Sequence, residues 1–271
     1  MTGAGVKRIQ ICADDFGFDD AISQGILECL DAGRISATSC MVLSPLWSAW
    51  APALRERVGA ADFGLHLDLN EFAEYAPGRA LSGWIGQAYA RRLDAQEVQT
   101  WVNTQLDAYE AAMQRAPDYV DGHQHVHQLP QIRQALLSAL SSRYGRRCAL
   151  RFTGNQSWRG PKAAIIATLG SAALRRGARQ VGLRCNRDFA GVYDFGPEAQ
   201  FPRLAEAWLA SLPDGGLMMT HPGRAAATQT RADAIRGARV KERAFWLSAE
   251  AGEMLARLSV QLGMSEDWPL A

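Results

Sequence analysis

The chain has almost no surplus of charge: 29 lysines and arginines stand against 28 aspartates and glutamates, a net of +1. Nucleic acid or an anionic membrane surface is recognised by a basic stripe that this balance does not provide. The arginines of segments 143–151 and 175–187 alternate with apolar residues and read as solvated helix ends. Cysteine is sparse as well. Cys12, Cys29, Cys40, Cys148 and Cys185 form an odd set without a Cys-x-x-Cys pair, which argues against a disulfide framework or a thiolate zinc site and for reduced core residues. No apolar run reaches the roughly 20 residues that cross a bilayer. The N-terminal Met-Thr-Gly-Ala-Gly-Val-Lys-Arg has no apolar leader core, so a cytoplasmic protein is expected. Also missing are a Gly-x-Gly-x-x-Gly after a strand, a phosphate-cradling loop ending in Lys-Ser/Thr, and a Gly-x-Ser-x-Gly elbow. Nucleotide-binding and serine-hydrolase chemistry thereby lose their usual sequence support.

What is present is the composition of a compact protein. The 271 residues are 48% hydrophobic and 21% charged, enough for one sizeable core, and one domain over 1–271 is expected. Short β-branched apolar runs alternate with longer amphipathic ones, the pattern of βα units around a parallel sheet. Strands are predicted at 7–13, 37–43, 62–69, 119–122, 149–152, 180–184 and 216–220. Helices are predicted at 18–32, 46–58, 95–115, 131–144, 161–176, 197–212 and 232–262, the last broken near Ser248. Seven strands suit an incomplete or distorted (β/α) barrel. Segment 71–87, rich in Gly, Pro and Ala with Tyr75 and Trp84, reads as an excursion over one barrel end. The tail from Glu266 to Ala271 is expected to be frayed or loosely docked.

All five histidines fall at or just past a predicted strand end: His66, then His123, His125 and His127 in His-Gln-His-Val-His, then His221 before Pro222-Gly223. Asp14 and Asp15 follow the run Ile9–Ala13 in the same way. The carboxyl ends of parallel strands share one face, so these groups converge although far apart in sequence. Two adjacent carboxylates raise one another's pKa, a conflict that a divalent cation resolves; a turn capping the next helix suits the pair equally well. The His-x-His-x-His run can present nitrogens to a metal, or can be polar turn residues ahead of the helix that Pro130 opens. His66 alone reads as a core histidine, and His221 is placed for an acid or base. Arg151, Asn155, Arg184 and Asp188 read as loop polarity, and Trp84, Trp158 and Tyr193 as packing rather than sugar platforms.

Taken together, Ala13-Asp14-Asp15-Phe16-Gly17, Gly64-Leu65-His66, Asp121-Gly122-His123-Gln124-His125-Val126-His127 and His221-Pro222 resemble, in order and spacing, the YdjC-like carbohydrate deacetylase family. That family includes chitooligosaccharide and diacetylchitobiose deacetylases and hopanoid-biosynthesis-associated relatives. Gly122 and Gln124 depart from its frequent Ser and His. The resemblance implies a distorted TIM-like barrel and removal of an N-acetyl group from an amino sugar or chitooligosaccharide. It implies one divalent cation, Mg or Zn, on Asp15, His66 and His123, with Asp14 as general base. His221, ahead of His125, would protonate the amine, and His125 and His127 would support the ligands through hydrogen bonds. An acetylated sugar is the expected partner, with a homodimer open. Rival readings are another metal-assisted amide or ester hydrolysis, including of a lipid-linked amino sugar, and a non-catalytic sugar-binding protein, against which the retention of both Asp14 and Asp15 speaks.

Overall fold

The computed structural model describes residues 5–75, 78–225 and 232–271. Its first unit is β1 (Lys7–Phe16) followed by α1 (Asp20–Asp31). From Ile9 onward every residue of β1 is buried, as befits a strand sandwiched within a parallel sheet. The helix starts where Asp19 Oδ1 accepts the Ile22 N–H at 2.7 Å and ends before Gly33, whose φ of 61° suits glycine.

The same alternation continues through β2 (Ala37–Cys40), α2 (Trp47–Arg55), β3 (Asp62–Leu67), α3 (Leu81–Tyr89), α4 (Ala95–Met113), β4 (Tyr119–Gly122), α5 (Ile132–Arg143) and β5 (Ala149–Leu150). It closes with α6 (Pro161–Thr168), α7 (Ser171–Gln180), β6 (Phe189–Ala190), α8 (Phe201–Ser211), β7 (Gly216–Thr220), α9 (Arg236–Trp246), α10 (Ala249–Arg257) and β8 (Val260–Leu262). The strands are parallel, in the order β5-β4-β3-β2-β1-β7-β6, with β8 also on β1. They curl into the distorted, incomplete barrel expected from the alternation of apolar runs. Between β5 and β6 no continuous ladder runs. Instead Leu150 pairs singly with Cys185, and the Asn186 side chain bridges the Phe152 N–H and C=O at 2.7 and 2.8 Å.

Several expectations need correction. Residues 180–184 are not a strand: the Arg-rich amphipathic helix α7 runs to Gln180, and the chain turns at Gly182, φ 71°. The strand beside β7 is β6, further on. Segment 161–176 is two helices, because at Gly170 φ is 127° and a Cβ would lie 2.3 Å from Gln128 O. The expected break near Ser248 is real, with Ser248 capping α10. Val260–Leu262, however, is strand rather than helix, released by Ser259 at φ 54°. The excursion 71–87 turns helical at α3, and its residues 76 and 77 lie outside the described residues. The tail is docked: Trp268 is buried, and Pro269 O and Ala271 N hydrogen-bond Cys185 and Leu183.

The barrel interior beneath the carboxyl ends is filled by Tyr119. A Cβ at Gly64 would lie 2.4 Å from its ring, so only glycine leaves room. At the opposite end, buried Asp62 accepts from Gln10 Nε2 at 2.8 Å and from the Ser265 N–H. Burial, then the charge of Asp118, pushes the Asp62 carboxyl up to about 6 from its ordinary 3.8. A raised folded-state pKa means that the stability this group contributes is full below about pH 4 and is lost as pH climbs through 6. Over that window the loss is roughly 3 kcal/mol. Asp62→Asn is therefore expected to gain on the wild type progressively between pH 4 and 7 in urea melts; parallel pH profiles would contradict this. All five cysteines are free and buried. Among the described residues no helix is long and apolar enough to cross a membrane.

Candidate functional site

The carboxyl ends of the strands bring the sequence-selected residues to one cavity of about 600 Å³, lined by Asp14, Asp15, His66, His123, His125 and His221 among others. Asp15 gets there through a break in the pairing of β1 with β2 between Ala13 and Phe16 and a left-handed backbone at φ 73°. Aspartate is among the few non-glycine residues that adopt this conformation readily. His66 belongs to β3. His123 follows β4, where the chain enters a 3-10 turn over His123–Gln128 with Gln124 and His125 also left-handed.

Asp15 Oδ1 lies 3.1 Å from His123 Nδ1 and 3.4 Å from His66 Nε2. The three donor atoms are within 4.8 Å of one another. Two imidazoles and one carboxylate are a hydrolytic metal's donor set, leaving positions open for water and substrate. Despite burial, Asp121 at 2.6 Å from Nδ1, with Asp14 and Asp15, pushes His66 up to about 10, so the site surrounds this imidazole with negative charge. Burial works against the Asp15 carboxylate, yet Arg239 and the two histidines hold it well below the usual carboxylate range. The set fits a divalent ion.

A second trio, Cys12, Asp14 and Asp121, also converges within 4.8 Å, but its cation is already built in. Arg151, fully buried, grips both oxygens of Asp14 at 2.7 Å, lies 2.9 Å from Cys12 Sγ and pairs with Asp121. Reading Arg151 as loop polarity was thus wrong. Each of the adjacent carboxylates also has its own guanidinium, Arg151 for Asp14 and Arg239 for Asp15.

His221 sits just past β7, 8% exposed. Its N–H is accepted by Glu242 of α9, its ring stands edge-on to Phe195, and burial lowers its pKa, against the pull of Asp15, Glu242 and Asp14. His127 bonds the Arg151 carbonyl through Nε2 at 3.1 Å, steadying Arg151 rather than a histidine. His125 lies edge-on to Phe189. Among the described residues Asp121, not either of these, is the hydrogen-bond partner of His66. Asp188 pairs with Arg159, Tyr193 donates to Glu242, Trp84 is core, and Trp158 is 75% exposed. Asp121 had a signal in the sequence, since it stands two residues before His123 at a strand end. Arg239 had none: it lies 224 positions from Asp15 in an arginine-rich helix.

The model of the YdjC-like protein family matches residues 8–257. The chain belongs to that family. A carbohydrate deacetylase from Homo sapiens is 29% identical over 248 residues, covering 80% of this chain and 75% of the human protein. A chitooligosaccharide deacetylase from Yersinia pestis (strain Pestoides F) is 33% identical over 134 residues, 46% of this chain and 53% of its own. A crystal structure from Enterococcus faecalis V583, of a protein whose name refers to cellobiose-phosphate cleavage, superposes with a TM-score of 0.70 at 22% identity, covering 97% of this chain and 98% of the other. That likeness shows that the two proteins share a fold, and the family membership bears out the resemblance drawn from the four motifs.

Proposed function

We propose that this YdjC-like protein is a metal-dependent hydrolase that removes an N-acetyl group from an amino sugar or chitooligosaccharide. In this reading Asp15, His66 and His123 hold one divalent cation, Mg or Zn, Asp14 is the base and His221 the acid. The observation that carries it is the convergence of Asp15 Oδ1 on two imidazole nitrogens, beside Asp14 and His221, in one cavity. The names of the human and Yersinia relatives support the acetylated sugar. A divalent cation in this cluster supplies Lewis acidity toward the acetamide carbonyl and toward water. Asp14 takes the proton from the attacking water; Arg151 occupies one lone pair on each oxygen and fixes the carboxylate's direction, leaving others to accept. As the C–N bond breaks, His221, once protonated, gives that proton to the leaving nitrogen. Acetate and a free amino sugar result.

His66→Ala and His123→Ala are each expected to abolish both divalent-cation binding, read by calorimetry, and acetate release from N-acetylated chitobiose. Chelation should silence the unaltered protein in the same way, and full activity in a metal-free double variant would overturn the reading.

One observation favours a more particular substrate. Beyond the reacting groups the cavity wall includes an aliphatic set, Leu81 and Ile85 of α3 with Ile165, Ile166 and Leu169 of and beside α6, alongside polar Glu71, Gln124 and Lys162. Ile165 is 60% exposed at the surface. Such a wall suits an acetylated amino sugar carrying an apolar group, a lipid-linked amino sugar, better than a longer polar glycan. An octyl glycoside of N-acetylglucosamine should then show a KM at least about tenfold below that of the methyl glycoside, since each buried methylene contributes up to about 0.8 kcal/mol. Equal KM values would return the reading to simple chitooligosaccharides.

A further inference from the structure

Arg239 is 3% exposed and lies on α9. Its Nη2 donates to Asp15 Oδ2 at 2.7 Å, and its Nε to Asp233 Oδ2 at 2.9 Å. The guanidinium packs over the Phe18 ring, 5.7 Å from its centroid, and its backbone carbonyl accepts from the Gly223 N–H. Among the described residues Nη1 is buried without a partner, an arrangement that costs stability. Two consequences follow from the geometry. With Oδ2 held by Arg239, Asp15 turns Oδ1 alone toward the two imidazoles. Through Asp233, whose Oδ1 also accepts the Ile235 N–H at 3.2 Å, the same guanidinium anchors residues 232–235, which line the cavity.

We propose that Arg239 is a positioning residue that couples the cation site to the cavity wall at 232–235, orienting Asp15 on one side and holding Asp233 on the other. The proposal rests on the reading that Asp15, His66 and His123 hold a divalent cation. Ligands need outer partners to fix their direction, and losing one typically weakens metal binding 10–100-fold. An element that touches both sites makes the effect reciprocal, so a bound ion should order the wall.

The test uses Zn²⁺ alone as the probe, with calorimetry for affinity and hydrogen exchange for the amides of 232–240. In the unaltered protein Zn²⁺ should slow exchange in that segment about tenfold or more. Arg239→Met should weaken Zn²⁺ binding 10–100-fold and remove the slowing, while Arg239→Lys, which keeps the charge but not the fork, should restore part of the affinity and little of the slowing. Asp233→Asn should leave affinity within about twofold yet still lose the slowing, and this variant carries the test if Arg239→Met does not fold. Unchanged or tighter Zn²⁺ binding in Arg239→Met and Arg239→Lys overturns the orienting role, and retained slowing in Asp233→Asn overturns the coupling. No Zn²⁺ binding by the unaltered protein overturns the cation site and this proposal together. Arg239-dependent binding without acetate release from any acetylated sugar leaves the proposal standing and sinks the deacetylase reading alone.

Discussion

Asp14→Asn is expected to lower the rate of acetate release about a thousandfold while changing divalent-cation affinity no more than a few-fold. A positioned base is worth roughly 10²–10⁴ in rate, and Asp14 stands outside the convergent trio of Asp15, His66 and His123. The substitution removes the negative charge and turns an amide group toward Arg151, so one of the two 2.7 Å hydrogen bonds is lost. Rates must therefore be compared on protein shown by circular dichroism to be folded. A variant keeping more than a tenth of the rate would move the base elsewhere, His125 being another titratable group on the cavity lining. A variant that loses the cation as well would make Asp14 a ligand.

Arg151→Met is expected to have the largest effect on stability. It leaves the buried carboxylates of Asp14 and Asp121 without their shared guanidinium, and removing one partner of a buried ion pair costs about 3–5 kcal/mol. Total stabilities of about 5–15 kcal/mol are usual, so the variant should melt at a much lower urea concentration. The pH dependence has a definite sign. Burial raises the Asp121 carboxyl while Arg151 and then His66 pull it below the ordinary range; without Arg151 its folded-state pKa would rise, so the deficit should be largest at neutral pH and narrow as this carboxylate protonates in acid. A loss below about 1 kcal/mol, flat with pH, would mean that water or the Ser39 hydroxyl, which already donates to Asp121, compensates for the missing cation.

The first βα unit and the strand-end placement of Asp14, Asp15, His66, His123 and His221 were legible because periodicity and the carboxyl-end rule act locally. What lay hidden depends on pairing across the barrel. A two-residue strand such as Phe189–Ala190 carries no alternation to detect, and Val181 and Leu183, the apolar residues that suggested a strand at 180–184, lie in and beside the turn just past α7. Val260–Leu262 is strand because β1 offers an open edge at Lys7–Ile9, which no helix-period count can reveal. The arginines were the deeper omission. Residue type alone makes Arg151 and Arg239 surface groups, and only the fold shows that each is carried inward to a particular aspartate. Asp121 was written in the same motif as His123, and its part as the partner of His66 follows once β3 and β4 are known to pair at His66 and Asp121.

The left-handed backbone at Asp15 ties heredity to geometry. The position needs a carboxylate to meet two imidazoles and a residue that tolerates φ 73°, and among the twenty amino acids aspartate alone meets both demands comfortably. Asparagine and glycine would accept the backbone, yet each would leave the buried Arg239 guanidinium without the Asp15 carboxylate. A library randomised at codon 15 should therefore return the parent whether it is selected for folding or for cation binding.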